Sequence, residues 1–298
     1  MDRTYTAVSL AERQRYYELW QRTPQRSLDY TLANLWGWQE FYGLQWSFAE
    51  NLCWIRQTRP QTVCWAPVGD WNVVDWKSIF SQAPANNTPR IVRVPEKLLH
   101  LWQAQMPGSV EEEEDRGQWE YLYRQEDLAF LRGNRFHKKK NHFNNYVKAY
   151  GEPDYHPLDD AMVEDVLAVQ DDWCQWHECE DSPSLRAENE AINRVLSHWD
   201  LFRGLSGGSL YIEGKMVAFS VGEPLDEGVL GVHYEKGLSG FKGVYQAINC
   251  MFSRNQGAGS AFLNRAQDLD EDGLRQAKLS YLPADFLRKY KVSIRGLA

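Results

Sequence analysis

The residues best equipped for chemistry lie between Gly228 and Pro283. A strand-like run, Val229 to Tyr234, leads into KGLSGFKG. Its Gly237, Gly240 and Gly243 let backbone come close to a ligand, and Lys242 adds a positive charge. A helix follows, with Val244, Ala247, Ile248, Met251 and Phe252 on its apolar face. The first turn of a helix has N–H groups without intrahelical partners, so strand, loop and helix start can cradle an anion. The loop is neither G-x-x-x-x-G-K-[ST] nor G-x-G-x-x-G, and its pattern also suits a plain tight turn. A second short strand, 260–263, ends in Asn264, Arg265, Gln267 and Asp268, polar groups placed to orient a substrate beside the loop. Asp268 or Asp270 equally suits a cap for the helix carrying Leu274, Ala277 and Leu279.

The stretch 132–148 differs from its surroundings. Arg132, Arg135, Lys138, Lys139, Lys140 and Lys148 stand with His137 and His142, and no acid interrupts them. Phe143, Tyr146, Val147 and Tyr150 share one helical face. An amphipathic helix with a basic first half is expected, ended by Gly151 and Pro153. A Lys run is ordinarily a solvated face, but the whole chain carries a net charge of −8, so any polyanion must be met at such a local patch.

Other chemistries find less support. Cys174, His177 and Cys179 are irregularly spaced and have no second half-site, so a metal centre is not expected. An odd, sparse count of five Cys suggests a reducing compartment and so free thiols, with Cys53 and Cys64 as reduced core residues. No nucleophile elbow or Ser/His/Asp order is present. The N-terminus lacks an apolar signal core, and no run approaches the ~20 apolar residues needed to cross a bilayer. A soluble cytoplasmic protein is expected.

The elements that must position these groups can be read from pattern. At 298 residues, with 43% hydrophobic, the chain fits two domains with full cores. Helices are expected at 9–22, 31–42, 73–80 and from Pro95 to 105, and strands at 45–50, 52–58, 62–66, 91–94 and 119–123. Loops are expected at SQAPANNTPR and at the acidic run Glu111 to Asp115. The second half reads as helices at 158–178 and 187–199, a hairpin of 209–213 with 216–222, and a helical tail from Ala284 to Tyr290. The fold class is therefore α+β. Domain boundaries are placed at 1–135, 136–152 for the basic junction helix, and 153–298.

Four pieces carry a resemblance: LRGNRFHKKKNHFNNYVKAYG, YIEGKMVAFSVGE, EKGLSGFKGVYQAIN and LNRAQDLDEDGLRQAKLSYLP. They resemble a bacterial family of unknown function related to the C-terminal catalytic domain of phosphatidylglycerol lysyltransferase. TLANLWGWQEFYGLQW extends the likeness into the first half. The resemblance implies two GNAT-like acyltransferase domains in tandem, each a mixed sheet flanked by helices. It implies a donor held at Gly240, Phe241, Lys242, Gly243 and Val244, either aminoacyl-tRNA or acyl-CoA, with no tightly bound cofactor. Where relatives show Asn-Arg-Glu, this chain has Asn264, Arg265 and Ala266, so a carboxylate is absent at that position.

The function expected is acyl transfer, from aminoacyl-tRNA to an amine or hydroxyl acceptor such as a small molecule or lipid head group. The alternatives are a CoA-dependent N-acyltransferase and a non-catalytic binding module that keeps the fold. An attacking amine needs a base, and Asp268, His233 and Glu235 are candidates in that order, with Asn264 and Arg265 beside them. Tyr245 or Tyr281 would protonate the leaving group. Arg132, Arg135, His137, Lys138, Lys139 and Lys140 would meet tRNA phosphates.

Overall fold

The structure, a computed structural model, describes residues 3–81, 90–226 and 228–295. The loop expected at SQAPANNTPR spans 81–90; Ser81 ends a helix and Arg90 begins a strand, and 82–89 lie outside the described residues.

Local chemistry sets the helix ends. Ser182 accepts from the Leu185 N–H and Pro183 follows at the first helical position, so one long helix starts there. Gly151, at φ 87°, stops the basic helix as its sequence suggests. The helices are α1 (Arg13–Trp20), α2 (Leu32–Gly37), α3 (Gln39–Tyr42), α4 (Trp76–Ser81), α5 (Glu96–Gln105), α6 (Gln125–Phe130), α7 (His137–Tyr150), α8 (Val163–Trp176), α9 (Pro183–Leu196), α10 (Val244–Asn255) and α11 (Asp272–Leu279). The strands are β1 (Thr6–Ala7), β2 (Gln45–Ala49), β3 (Leu52–Gln57), β4 (Val63–Trp65), β5 (Val68–Gly69), β6 (Arg90–Pro95), β7 (Val110–Glu114), β8 (Glu120–Arg124), β9 (Asp154–Pro157), β10 (Ser206–Ile212), β11 (Lys215–Asp226), β12 (Val229–Gly237), β13 (Phe262–Asn264), β14 (Asp285–Leu287) and β15 (Lys289–Ile294).

The chain divides into two units. Met1–Glu120, Gln267–Glu271 and Leu287–Ala298 form the first, and Tyr121–Ala266 with Asp272–Phe286 form the second. The boundaries read from sequence, at 135 and 152, miss this interleaving. The first sheet runs β1-β2-β3-β4-β6-β15-β7, with β5 beside β3, and the second runs β9-β10-β11-β12-β13-β8-β14. The two orders match place for place. Each has an antiparallel series, then one parallel pair (β4 with β6, β12 with β13) bridged in sequence by a helix. Each then takes a strand from elsewhere in the chain. β8, which follows β7 in sequence, serves the second sheet, and β15, the last strand, serves the first. Both sheets are mixed and flanked by helices, so the expected α+β tandem holds.

The first unit is packed with aromatics, among them Trp46, Trp65, Trp76 and Trp102, all at most 1% exposed. Trp76 meets Trp102 edge-on at 5.4 Å, an arrangement aromatic rings favour. In the second unit, α10 sets Ala247, Ile248, Cys250 and Phe252 against β10–β13. Tyr146 of α7 joins the same core.

Three elements differ from the sequence reading. The tail from Ala284 to Tyr290 is not a helix but β14 and the start of β15. In β15, Tyr290, Val292 and Ile294 are buried in alternation, a period of two that a seven-residue window hides. The acidic run at 111–115 is not a loop but edge strand β7, although it is exposed as expected. Its charge is tolerated because basic side chains face it: Lys291 to Glu113 at 3.4 Å, Lys291 to Asp115 at 3.3 Å, and Arg295 to Glu111 at 3.1 Å. The helix read at 31–42 is two short helices meeting at Trp38. Cys174 and Cys179 are joined in a disulfide, against the expectation of free thiols, whereas Cys53, Cys64 and Cys250 are free.

Candidate active site

The second unit opens where its parallel pair ends. β12 lies beside β13 only over Val229–Gly231 opposite Phe262–Asn264. β12 then continues to Gly237 with β11 on one side and, among the described residues, no strand on the other. β13 stops because Asn264 turns the chain: its side-chain oxygen accepts from Ala266 N at 3.0 Å, and Ala266 takes φ 56°.

Three of the expected site residues meet at this opening. Glu235 on β12 accepts from Arg265 Nη2 at 2.8 Å and from Asn249 Nδ2 of α10 at 3.1 Å. Arg265 lies 5.0 Å from the Tyr281 ring and 5.9 Å from that of Tyr123. Tyr281 accepts from Gln246 Nε2 at 3.4 Å, and burial pushes its pKa up to about 12. Arg265 thus finds its carboxylate on β12, not at position 266. Lys139 joins the group as well. It was expected on a polyanion-facing surface, yet its Nζ sits 4.0 Å over the Tyr281 ring.

The other candidates are placed elsewhere. Asp268, first choice as base, belongs to the first unit, has a fully buried side chain, and pairs with Arg116 at 3.1 Å. Its other oxygen accepts from Asp270 N at 2.9 Å, so it holds a turn. His233 is the extra residue of a bulge between β11 and β12 and is paired at 2.8 Å with Glu223, both side chains nearly inaccessible. Neither pairing has a sequence signature. Tyr245, at the start of α10, is tied by its hydroxyl to Trp173 Nε1 at 2.7 Å, and burial raises its pKa.

The glycine loop is only partly a cradle. A Cβ on Gly243 would stand 2.2 Å from the His142 carbonyl, so that glycine serves close packing on α7. A Cβ on Gly237 would meet Val244 at 2.7 Å, whereas Gly240 faces open space. The Lys242 N–H donates to the Tyr150 hydroxyl at 3.1 Å, and the Phe241 ring lies 5.8 Å from that of Tyr150. The loop is therefore pinned to α7, with Val244 N returned to the Phe241 carbonyl at 3.3 Å. On α7 itself and just before it, Arg132, Arg135, His137, Lys138 and Lys140 are exposed. Two open depressions, of about 360 and 410 Å³, lie in the first unit against Arg15, Phe48 and Glu50, and none of the candidates lines them. Among the described residues no cluster of His, Cys, Asp and Glu suits a metal, and no helix is long and apolar enough to cross a membrane.

The repeated strand order, with an open parallel pair in the second unit, defines a tandem GNAT-like α+β fold. The profile of the family "Phosphatidylglycerol lysyltransferase, C-terminal" matches residues 20–293, and the chain belongs to that family. The chain is similar to a conserved protein of unknown function from Bacteroides thetaiotaomicron, at 27% identity and TM-score 0.87, covering 98% of this chain and 100% of that one. It shares its fold with a C-terminal domain assigned to a lysylphosphatidylglycerol synthetase of Agrobacterium fabrum (13% identity, TM-score 0.64, 97% and 93% covered). The same holds for L-PGS of Bacillus licheniformis (13% identity, TM-score 0.62, 95% and 91% covered). An uncharacterised protein of Mycoplasmoides gallisepticum is 24% identical over 180 residues, which span 58% of this chain and 56% of that protein's length.

Proposed function

We propose that the chain is an acyl-transferring enzyme whose second unit carries the reaction, moving an aminoacyl group from tRNA to an amine or hydroxyl acceptor. The observation behind this reading is the convergence of Glu235, Arg265 and Tyr281 beside the unpaired edge of β12. That edge offers backbone N–H and C=O groups to an extended donor arm, as an added strand would use them. The acceptor attacks the acyl carbon and Glu235, held by Arg265 and Asn249, takes its proton. The new C–N or C–O bond forms as the ester bond to the tRNA ribose breaks, and Tyr281 gives its proton to the leaving oxygen. A phenol with its pKa near 12 is protonated at neutral pH, as this role requires. The exposed basic residues Arg132, Arg135, His137, Lys138 and Lys140 would meet the tRNA backbone.

A thioester donor would use the same strand edge, with a C–S bond breaking instead; Gly240, the open glycine of the loop, favours a donor reaching that far. The test is to offer each charged tRNA and a set of acyl-CoA thioesters, with amine and hydroxyl acceptors, and to follow loss of the ester or thioester. Turnover that disappears in Glu235→Gln supports the reading. No donor loss with either class would leave a binding module as the function.

A further inference from the structure

Lys139 separates from its neighbours on α7. Lys138 and Lys140 are exposed, whereas Lys139 is half-buried with its Nζ 4.0 Å from the Tyr281 ring centre. Arg265 approaches the same ring at 5.0 Å. The charge of Arg265 is answered by Glu235 at 2.8 Å. Lys139 has no carboxylate partner among the described residues. Burial, with the nearby Arg265 guanidinium, pushes the Lys139 pKa down. Lys139 and Arg265, both at the Tyr281 ring, thus have one carboxylate between them, and the Lys278 ammonium donates to the Arg265 carbonyl nearby, in a setting where desolvation strengthens every charge interaction.

We propose that Lys139 and Arg265 frame an oxyanion subsite, so that the group brought to this centre carries a carboxylate or a phosphate and not an ammonium. The proposal rests on the transfer site being the one described above. It narrows the substrate class: a strongly cationic acyl group, such as a lysyl side chain, would face like charge there, whereas an acidic acyl group or a phosphate-bearing acceptor would complete the charge balance. A cation–π contact alone leaves Lys139 without a counter-ion, and an oxyanion between the two cations supplies it.

The test reads binding at Lys139 without any turnover, so it is independent of whether transfer is found. Lysines of the full chain are dimethylated with ¹³C, which keeps their charge, and the Lys139 signal is identified by its loss in Lys139→Arg. At fixed pH, inorganic phosphate, acetate and propylammonium are titrated separately. The expected result is a saturating shift of the Lys139 signal by phosphate, acetate or both, at about tenfold lower concentration than any shift at Lys138 or Lys140. The more effective anion names the source. Arg265→Lys, which keeps a cation on β13's exit but loses the planar fork, should weaken the response, and Lys77→Met, at an exposed lysine of the first unit, should leave it unchanged. If Lys139 responds no more strongly than Lys138 and Lys140, or responds to propylammonium as it does to the anions, the subsite does not exist.

Discussion

Glu235 is the residue on which the catalytic reading turns. Glu235→Gln keeps the size and one acceptor oxygen for Arg265 but cannot take a proton. Transfer should fall by about 10²–10⁴-fold in kcat, the usual range for a lost general base, with little change in donor KM. Tyr281→Phe should retain the ring that Lys139 and Arg265 approach and lose the proton donor. Its kcat should fall most with the poorest leaving group. Tyr281 also sets an alkaline limit. Its pKa is raised by burial from 10 to about 12, so the folded state holds the proton where the unfolded state releases it. That contribution is complete below pH 10 and is lost as pH rises through 12, worth about 3 kcal/mol for two units. Urea titrations at pH 9 and 11 should show the loss in wild type and a smaller one in Tyr281→Phe. At this scale the sequence was half informative. Residue type and position singled out Glu235, Arg265 and Tyr281, but type alone ranked Asp268 and His233 above Glu235. Their partners Arg116 and Glu223 are, respectively, 152 and 10 residues away, and no spacing rule announces such pairs.

Among the elements, the strand–loop–helix unit of β12 and α10 was legible because its period changes from 2 to 3.6 across a glycine-rich turn. What the loop touches was not. Gly243 looked like a residue freed for a ligand, yet its backbone at φ 77° packs on the His142 carbonyl of α7. Gly243→Ala must therefore open α7 from the loop or strain the backbone, and should cost about 1–3 kcal/mol. Gly240→Ala also stands at a positive φ, 91°, but faces open space, and should cost less. Thermal unfolding of the two variants measures the difference, and equal losses would mean that the His142 contact is unimportant. Exposed acids and an Asp-Phe-Leu tail gave no cue to β7 and β14, because edge strands draw their pairing from partners and not from their own pattern.

In the molecule as a whole, the exchange of β8 and β15 is the feature that sequence order conceals, since a linear domain boundary assumes each strand stays with its neighbours. Its consequence in the first unit is a buried ionic cluster. Lys289, at the start of β15, is 0% exposed and contacts Asp29, with its Nζ 2.6 Å from Glu120. Both oxygens of Glu120 also accept from Leu28 N, at 3.0 and 3.1 Å, and Arg93 and Gln267 complete the shell of Asp29. Burial by itself would raise the Asp29 pKa, but Arg93 and Lys289 outweigh it and hold the carboxyl below its ordinary value. Removing the lysine takes one cation from two buried carboxylates, leaving Arg93 to Asp29 and the Leu28 N–H to Glu120, so Lys289→Met should cost about 3–5 kcal/mol. Ten of the thirteen Trp precede residue 120, so tryptophan fluorescence reports the first unit. Deleting 287–298 goes further, because β6 and β7 then lose the strand that stands between them in the sheet. The fluorescence transition of that truncation should vanish at temperatures where wild type is folded, while amides of β10, β11 and β12 stay protected from exchange, their ladder containing no residue of the deleted segment. Loss of protection in both sheets together would show that the C-terminal strand supports more than the first sheet. An unchanged fluorescence transition would show that β15 is dispensable and that the ionic cluster at Lys289 is not what holds the first unit.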